Sequence, residues 1–296
     1  MLKPMSYYGI GQTPMLELTP INSNRVFLKM ESKNFLGSVK ARTAYGLVKG
    51  LQVPRERIIT ESTSGNLGLA LNFFCKEDAR PFLCLLDETV IAAKLEYLKE
   101  QGVDYKIVPT LNGMDGRSSR MRHAEELTRQ GSHFWVNQYD NEDGIQVHQQ
   151  TTGIEIIDQT QGDVTCIFCA VGSGGTIIGI GQCFKSLKIN ATVFGVEPYG
   201  STIFSVEEEP YLTAGAGLRG QPGNIKRHSE IISLSTSIHD NISVKKCNEL
   251  YTLYNADVGI TTGMAYAAAE QYCHKTTGET IVIIAADGRE FYRDYL

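Results

Sequence analysis

Short continuous apolar runs alternate with amphipathic stretches along most of this 296-residue chain, and that alternation narrows its possible folds more than any other feature. "RVFLKME" reads as a strand that leads to a helix beginning near Ser38. "RIITES" leads to the helix "SGNLGLALNFFCKED", "PFLCLLD" to "VIAAKLEYLKEQG", and "DYKIVP" to "SSRMRHAEELTRQ". "VTCIFCAVG", "ATVFGVEP" and "TIVIIAADG" read as further strands. Strands apolar on both faces, interleaved with helices, predict an α/β fold whose mostly parallel sheets are covered on both sides. The length exceeds a single small core and suits two domains or one large α/β unit. A turn-rich stretch, "NQYDNEDG" from Asn137 to Gly144, marks the expected crossing between domains.

Composition excludes several classes of function. The net charge of −5 gives no overall basic field for nucleic acid. No apolar run reaches membrane-spanning length. The opening "MLKPMSYYGIGQTP" lacks the apolar core of a signal peptide, so a cytoplasmic location is expected. Seven cysteines, an odd number, then read as reduced thiols. Cys166 and Cys169 form a CxxC, but inside a strand positions i and i+3 point to opposite faces, so the pair cannot share a metal or a disulfide. The six histidines are scattered, His123 falls on a helix surface, and no metal is expected.

Three stretches carry candidate chemistry. In "NFLGSVKARTAYG", Gly37 and Ser38 are turn and N-cap residues, and Val39, Ala44, Leu47 and Val48 recur at helical spacing. Lys40 therefore falls in a first helical turn, against the positive end of the dipole. It is either a solvated lysine or one of lowered pKa, whose neutral amine can attack a carbonyl. "TESTSGNLG", Thr60 to Gly68, ends a strand in small and hydroxylic residues and opens a helix. It reads either as an anion site of carboxylate size or as a plain cap formed by Thr63 or Ser64. "AVGSGGTIIGIG" runs a strand into Gly172, Ser173, Gly174, Gly175 and Thr176, the design of a phosphate cradle or of a close-packed turn. It lacks the Lys-Ser/Thr ending that serves nucleoside triphosphates and the GxGxxG spacing that serves dinucleotides. A lysine, a carboxylate site and a phosphate cradle together fit pyridoxal 5'-phosphate and an amino-acid substrate.

Through these stretches and others the sequence resembles the cysteine synthase and cystathionine β-synthase family of fold-type II pyridoxal phosphate enzymes, almost end to end. "IGQTPMLEL" resembles its opening IGxTPLxxL, "VFLKMESKNFLGSVKART" its cofactor-lysine segment, and "TSGNLG" its TSGNTG. "NQYDNEDGIQVHQQTTGIEI" resembles QFxNPxNxxxHxxTTGxEI, "GSGGTIIGIG" the loop GTGGTxxG, "VGITTGMA" the segment GISSGAA, and "IVIIAADGREFY" the closing strand before GERY. The resemblance implies a tryptophan synthase β-like architecture. Residues 1–40 plus 138–296 would form a large cofactor domain, and 41–137 a small mobile substrate domain. A homodimer is implied as well.

The resemblance also implies roles. Lys40 would hold the cofactor as a Schiff base and move the Cα proton, and Asn66 would bond the ring oxygen. Thr63, Ser64 and Gln138 would contact the substrate carboxylate, with Gly65 and Leu67 in the same substrate loop. Gly172, Ser173, Gly174, Gly175 and Thr176 would hold the phosphate. Thr261 would stand against the pyridine nitrogen where the family has serine. A neutral hydroxyl there makes a weaker electron sink than an aspartate, which suits loss of a β-leaving group to give an α-aminoacrylate.

Departures from the family pattern bear on specificity. Ala41 replaces the usual Asp, Leu67 a substrate-contacting Thr, Asn141-Glu142 the usual Asn-Pro, and "AADG" the usual Pro-Ser. The chain also reads as lacking a haem-binding extension and a regulatory module, which points away from a full cystathionine β-synthase. Arg219, in "TAGAGLRGQPGN", resembles branches that use O-phosphoserine or thiosulfate, where an arginine fork suits charged oxygens, unless it is an exposed loop residue. The expected activity is β-replacement on an O-activated L-serine (O-acetylserine or O-phosphoserine) by a small sulfur nucleophile. The alternatives are an amine nucleophile giving a 2,3-diaminopropionate-type product, a serine or threonine dehydratase, and a silent cofactor-binding partner protein.

Overall fold

A computed structural model describes the chain except Met1 and Ser64, and except the side chains of Arg293 and Asp294. In chain order its strands and α-helices are β1 (Met15–Ile21), β2 (Asn24–Lys29), α1 (Lys40–Lys49), β3 (Ile58–Ser62), α2 (Asn66–Glu77), β4 (Phe82–Asp87), α3 (Ala92–Glu100), β5 (Tyr105–Val108), α4 (Gly116–Arg129), β6 (His133–Trp135), α5 (Glu142–Gln150), α6 (Thr152–Gln159), β7 (Cys166–Ala170), α7 (Gly175–Ser186), β8 (Thr192–Pro198), α8 (Gly223–Arg227), β9 (Leu234–Ile238), α9 (Asp240–Tyr254), α10 (Ile260–Cys273) and β10 (Thr280–Ile284).

The strands form two sheets. A six-stranded sheet has the order β1-β2-β10-β7-β8-β9, and a four-stranded sheet the order β5-β4-β3-β6. All neighbours are parallel except β1 and β2. The alternation of the sequence thus gives the α/β fold it predicts. Side chains of the central strands divide by parity. Val26, Leu28, Cys166, Phe168, Ile281 and Ile283 pack on one face, with residues of α9 and α10. Phe27, Ile167, Cys169, Val282 and Ile284 pack on the other, with residues of α5, α6 and α7. Cys166 and Cys169 therefore lie on opposite faces, and all seven cysteines are free and buried.

The sequence pattern misses three strands. β1 is a half-exposed edge strand and turns back into β2 through Asn22 and Ser23, both at positive φ of 49° and 63°. β6 has three residues, and the polar β9 lies at a sheet edge with an exposed face. Neither carries an apolar run to read.

The second sheet has its own core. Ile59, Leu71, Phe74, Leu86 and Leu98 pack with Ala44, Leu47 and Val48 of α1, and with Tyr8 and Ile10 from the start of the chain. Helix α1 also leans on α5. A Cβ at Gly46 would meet the Asp143 carbonyl oxygen at 2.7 Å, so that approach requires glycine. A buried ion network fixes α1 beneath the first sheet. Arg42 is fully buried and pairs with Glu31 at 2.8 Å and Glu155 at 2.7 Å, while Lys29 reaches Glu155 at 2.7 Å.

Candidate active site

The parallel strands aim their C-terminal ends at one cleft between the two sheets, where ligands bind in open α/β folds. Lys40, Thr63, Asn66, Leu67, Gln138 and Thr261 line it, together with Gly172, Ser173, Gly174 and Thr176. These residues come from distant parts of the sequence, and the fold brings them together. Gly175 lies just behind, with its Cα within reach of α5: a Cβ there would meet the Gly144 carbonyl oxygen at 3.1 Å. Ser64 lies outside the described residues.

Lys40 opens α1, whose N-cap position is taken by Val39 and not by the expected Ser38; the Lys40 backbone N–H donates to Ser38 Oγ at 3.3 Å. Its Nζ donates to Gln138 Oε1 at 3.4 Å. Burial lowers the pKa of the amine, against the opposing pull of Glu61, Cys169 and Asp287. Lys40 is half-buried in the wall of the cleft and does not stand free on the helix surface. Gln138 is held in turn: its Nε2 donates to the Ser62 carbonyl at 3.0 Å, and its N–H to Glu61 at 2.9 Å. Glu61 is buried, and desolvation pushes its carboxyl up to about 7.

The loop before α2 is tightly specified. Thr63 Oγ1 accepts from the Gly65 N–H at 3.1 Å, and Arg120 donates to the Thr63 carbonyl. Gly65 has φ of 126°, and a Cβ there would lie 2.2 Å from Lys94 Cδ. Leu67 fills a hydrophobic position, 1% exposed, at the cleft wall.

The loop from β7 to α7 places Gly174 in the left-handed region at φ of 84°. The N–H groups in the first turn of a helix lack intrahelical partners. Among the described residues, no loop hydrogen bond claims those of Gly172 to Thr176 either. Asn224 braces the loop by donating to the carbonyls of Ser173 and Gln138, both at 2.9 Å. Thr176 Oγ1 lies 3.4 Å from His148 Nε2. His148 is wholly buried among Thr43, Thr152 and Thr176, and desolvation holds its ring neutral.

Sequence reasoning missed several residues of the cleft. Asp287 follows β10 and accepts from Asn66 Nδ2 at 2.9 Å, Tyr292 Oη at 2.9 Å and Thr261 Oγ1 at 3.3 Å. Burial pushes its carboxyl up, while Lys94 and those three donors hold it toward the ionised form. The signal was the "AADG" departure, read only as a loss of Pro-Ser. Arg117 and Arg120 of α4 also line the cleft. Arg120 pairs with Asp87 at 3.2 Å, and Arg117 donates to the Gly217 carbonyl.

Arg219 sits elsewhere. It lines an outer cavity at the cleft mouth, is about half exposed, and is ion-paired with Glu208. Arg117, Arg120, Gly215 and Leu218 lie where that outer cavity meets the inner cleft.

Comparison with known proteins settles the family. Residues 7–287 match the family described as pyridoxal-phosphate dependent enzyme. The chain belongs to that family. A cysteine synthase of Staphylococcus aureus strain N315 is 29% identical over 294 residues, covering 96% of this chain and 93% of that protein. The structure of O-acetyl serine sulfhydrylase isoform 3 from Entamoeba histolytica is similar at TM-score 0.86 and 28% identity, over 97% of this chain and 88% of that one. O-Ureido-L-serine synthase is similar at TM-score 0.87 and 25% identity, over 99% and 94%. An O-acetylserine dependent cystathionine β-synthase from Helicobacter pylori shares the fold at TM-score 0.89 and 24% identity, over 99% and 98%.

The cofactor of this pyridoxal-phosphate dependent family fits the cleft. A desolvated lysine amine can take up its aldehyde, and the unclaimed N–H groups from Gly172 to Thr176 match a phosphate.

Proposed function

We propose that the chain catalyses β-replacement on an O-activated L-serine, exchanging the oxygen substituent for a sulfur nucleophile. The observation that carries this reading is the single cleft that joins a desolvated Lys40 amine, a helix-start loop of carboxylate size and a phosphate cradle. When bound, pyridoxal phosphate supplies a ring that withdraws electrons from the substrate's Cα. This chain's residues do the rest. Thr63, Gly65 and the start of α2, with Gln138, bind and orient the substrate carboxylate. Lys40 Nζ, facing Gln138, holds the cofactor and moves the Cα proton. Asn66 and Thr261 orient the ring, and Thr176 is fixed for the phosphate by neutral His148.

The leaving group's anion goes to Arg117, not to Arg219. Arg219 is half exposed and engaged by Glu208, whereas Arg117 lines the inner cleft and, among the described residues, has no carboxylate within ion-pair distance. In this reading residues 41–137 close over the substrate and exclude water. Tyr8 and Ile10, packed on the same core, move with them. The free buried cysteines suit a reducing cytoplasm. A homodimer belongs to the same reading, and light scattering at twice the monomer mass is the expected result.

The test is to add O-acetyl-L-serine and O-phospho-L-serine separately to the cofactor-loaded protein. The absorption of the bound cofactor is expected to shift with either, and sulfide is expected to restore it while cysteine forms. Release of pyruvate and ammonia, with no cysteine, would support the dehydratase instead.

A further inference from the structure

Asp287 is 7% exposed, and its two carboxylate oxygens receive donors from three separate segments. Asn66 belongs to α2, Thr261 to α10, and Tyr292 to the 3-10 turn that follows β10. Tyr292 is itself 1% exposed, so its hydroxyl is a fixed part of the arrangement. Lys94 of α3 is buried, with its ammonium 5.0 Å and 5.7 Å from the ring centroids of Phe291 and Tyr292. This corner therefore holds one carboxylate, one ammonium and three neutral donors.

Hydrogen-bond direction gives the consequence. A threonine hydroxyl has one hydrogen and two lone pairs. Thr261 gives its hydrogen to Asp287, so it presents only lone pairs to the cleft. A ring nitrogen placed against those lone pairs must itself carry a proton. Asn66 has two amide hydrogens, and Asp287 takes one of them, which leaves the other aimed by the same contact.

We propose that Asp287, acting through Thr261, makes this cleft a site for pyridoxal phosphate protonated at its ring nitrogen. Asp287 is thus a positioning residue, and the inference deepens the proposed function because it relies on that reading for Thr261's place against the ring. It also reverses the expectation drawn from a neutral hydroxyl alone. A protonated ring withdraws electrons more strongly, so Lys40 can remove and return a Cα proton even on an amino acid with no leaving group. The step balances: the proton leaves Cα for the Lys40 amine and comes back, or a solvent deuteron replaces it.

The test loads the full chain with pyridoxal phosphate labelled with nitrogen-15 and reads the ring-nitrogen resonance by NMR. The wild type is expected at the pyridinium position. Asp287→Asn is expected to move toward the free-pyridine position while the cofactor stays reducibly attached, and Thr261→Ser is expected to keep the wild-type position. A wild-type resonance at the free-pyridine position overturns the inference, and that spectrum needs no variant to fold. An Asp287→Asn resonance unchanged from wild type overturns it as well. A second reading uses L-alanine in deuterium oxide: wild type is expected to exchange its Cα hydrogen, and Asp287→Asn to do so at least tenfold more slowly. Failure of the cofactor to attach at all would instead sink the proposed function.

Discussion

Lys40 and Arg219 illustrate how differently single residues can be read. Lys40 carries its signal locally, because a turn, a cap and helical spacing surround it in the sequence. Burial in the cleft lowers its pKa, while Glu61, Cys169 and Asp287, which no local pattern joins to it, pull the other way. Arg219 also has a suggestive local setting, a glycine-rich loop, yet the fold gives it to Glu208 at the mouth. Arg117 looks in sequence like any arginine of an amphipathic helix, and only the docking of α4 turns it into the cleft. We expect Arg219→Ala to change the rate with O-phospho-L-serine by no more than about twofold, as for a screened surface pair. Arg117→Met should cut that rate roughly ten- to a hundredfold, by loss of a charge-assisted hydrogen bond of about 1.5–3 kcal/mol. β-Replacement rates with O-phospho-L-serine for both variants, measured beside O-acetyl-L-serine, check the assignment. Equal losses in the two variants count against it.

At the scale of elements, the two strand-to-helix junctions were legible because glycine and hydroxyl residues interrupt apolar runs there. The supports behind them were not. Asn224 and His148 hold the cradle from α8 and α5, far away in sequence. The edge strands β1 and β9 were missed because a strand with a wet face need not be apolar throughout. The loop before α2 yields a sharp prediction. Gly65 combines φ of 126° with close contact to Lys94, so Gly65→Ala is strained even if the lysine swings aside. Strain of about 1–3 kcal/mol should distort the substrate loop but leave the cradle intact. The variant is expected to bind pyridoxal phosphate normally and to need at least tenfold more O-acetyl-L-serine for the same spectral change. Normal substrate titration contradicts the loop's role.

For the whole molecule, alternation in the sequence determined the layered α/β design, while the assembly of two sheets around α1 depended on buried charge. Arg42 and Glu155 hold α1 to α6, and the Arg42 bonds keep the Glu155 carboxyl near 2 although burial alone would raise it. Lys29 contributes less securely, since desolvation lowers its own pKa. The ordinary value for such a carboxyl is 4.5, so the unfolded chain binds the proton first as pH falls. Stability from this group is complete above that value and is lost as pH drops toward 2. Urea unfolding between pH 2 and 6 should show a shallower acid limb for Glu155→Gln than for wild type; parallel limbs would remove Glu155 from acid stability. Closure of 41–137 is a separate expectation. Amide exchange in α2, α3 and α4 should slow when O-acetyl-L-serine is present, and unchanged exchange would leave the domain rigid.

The central claim is that the cleft around Lys40 performs β-replacement. It is tested most directly by mass spectrometry of the products from O-acetyl-L-serine and sulfide, with wild type and Lys40→Ala each loaded with pyridoxal phosphate. The account predicts cysteine from wild type and, from Lys40→Ala, a loss of cysteine formation together with loss of borohydride-reducible cofactor. Cysteine formed at the wild-type rate by Lys40→Ala, or no cysteine from a wild type that holds its cofactor on Lys40, contradicts it.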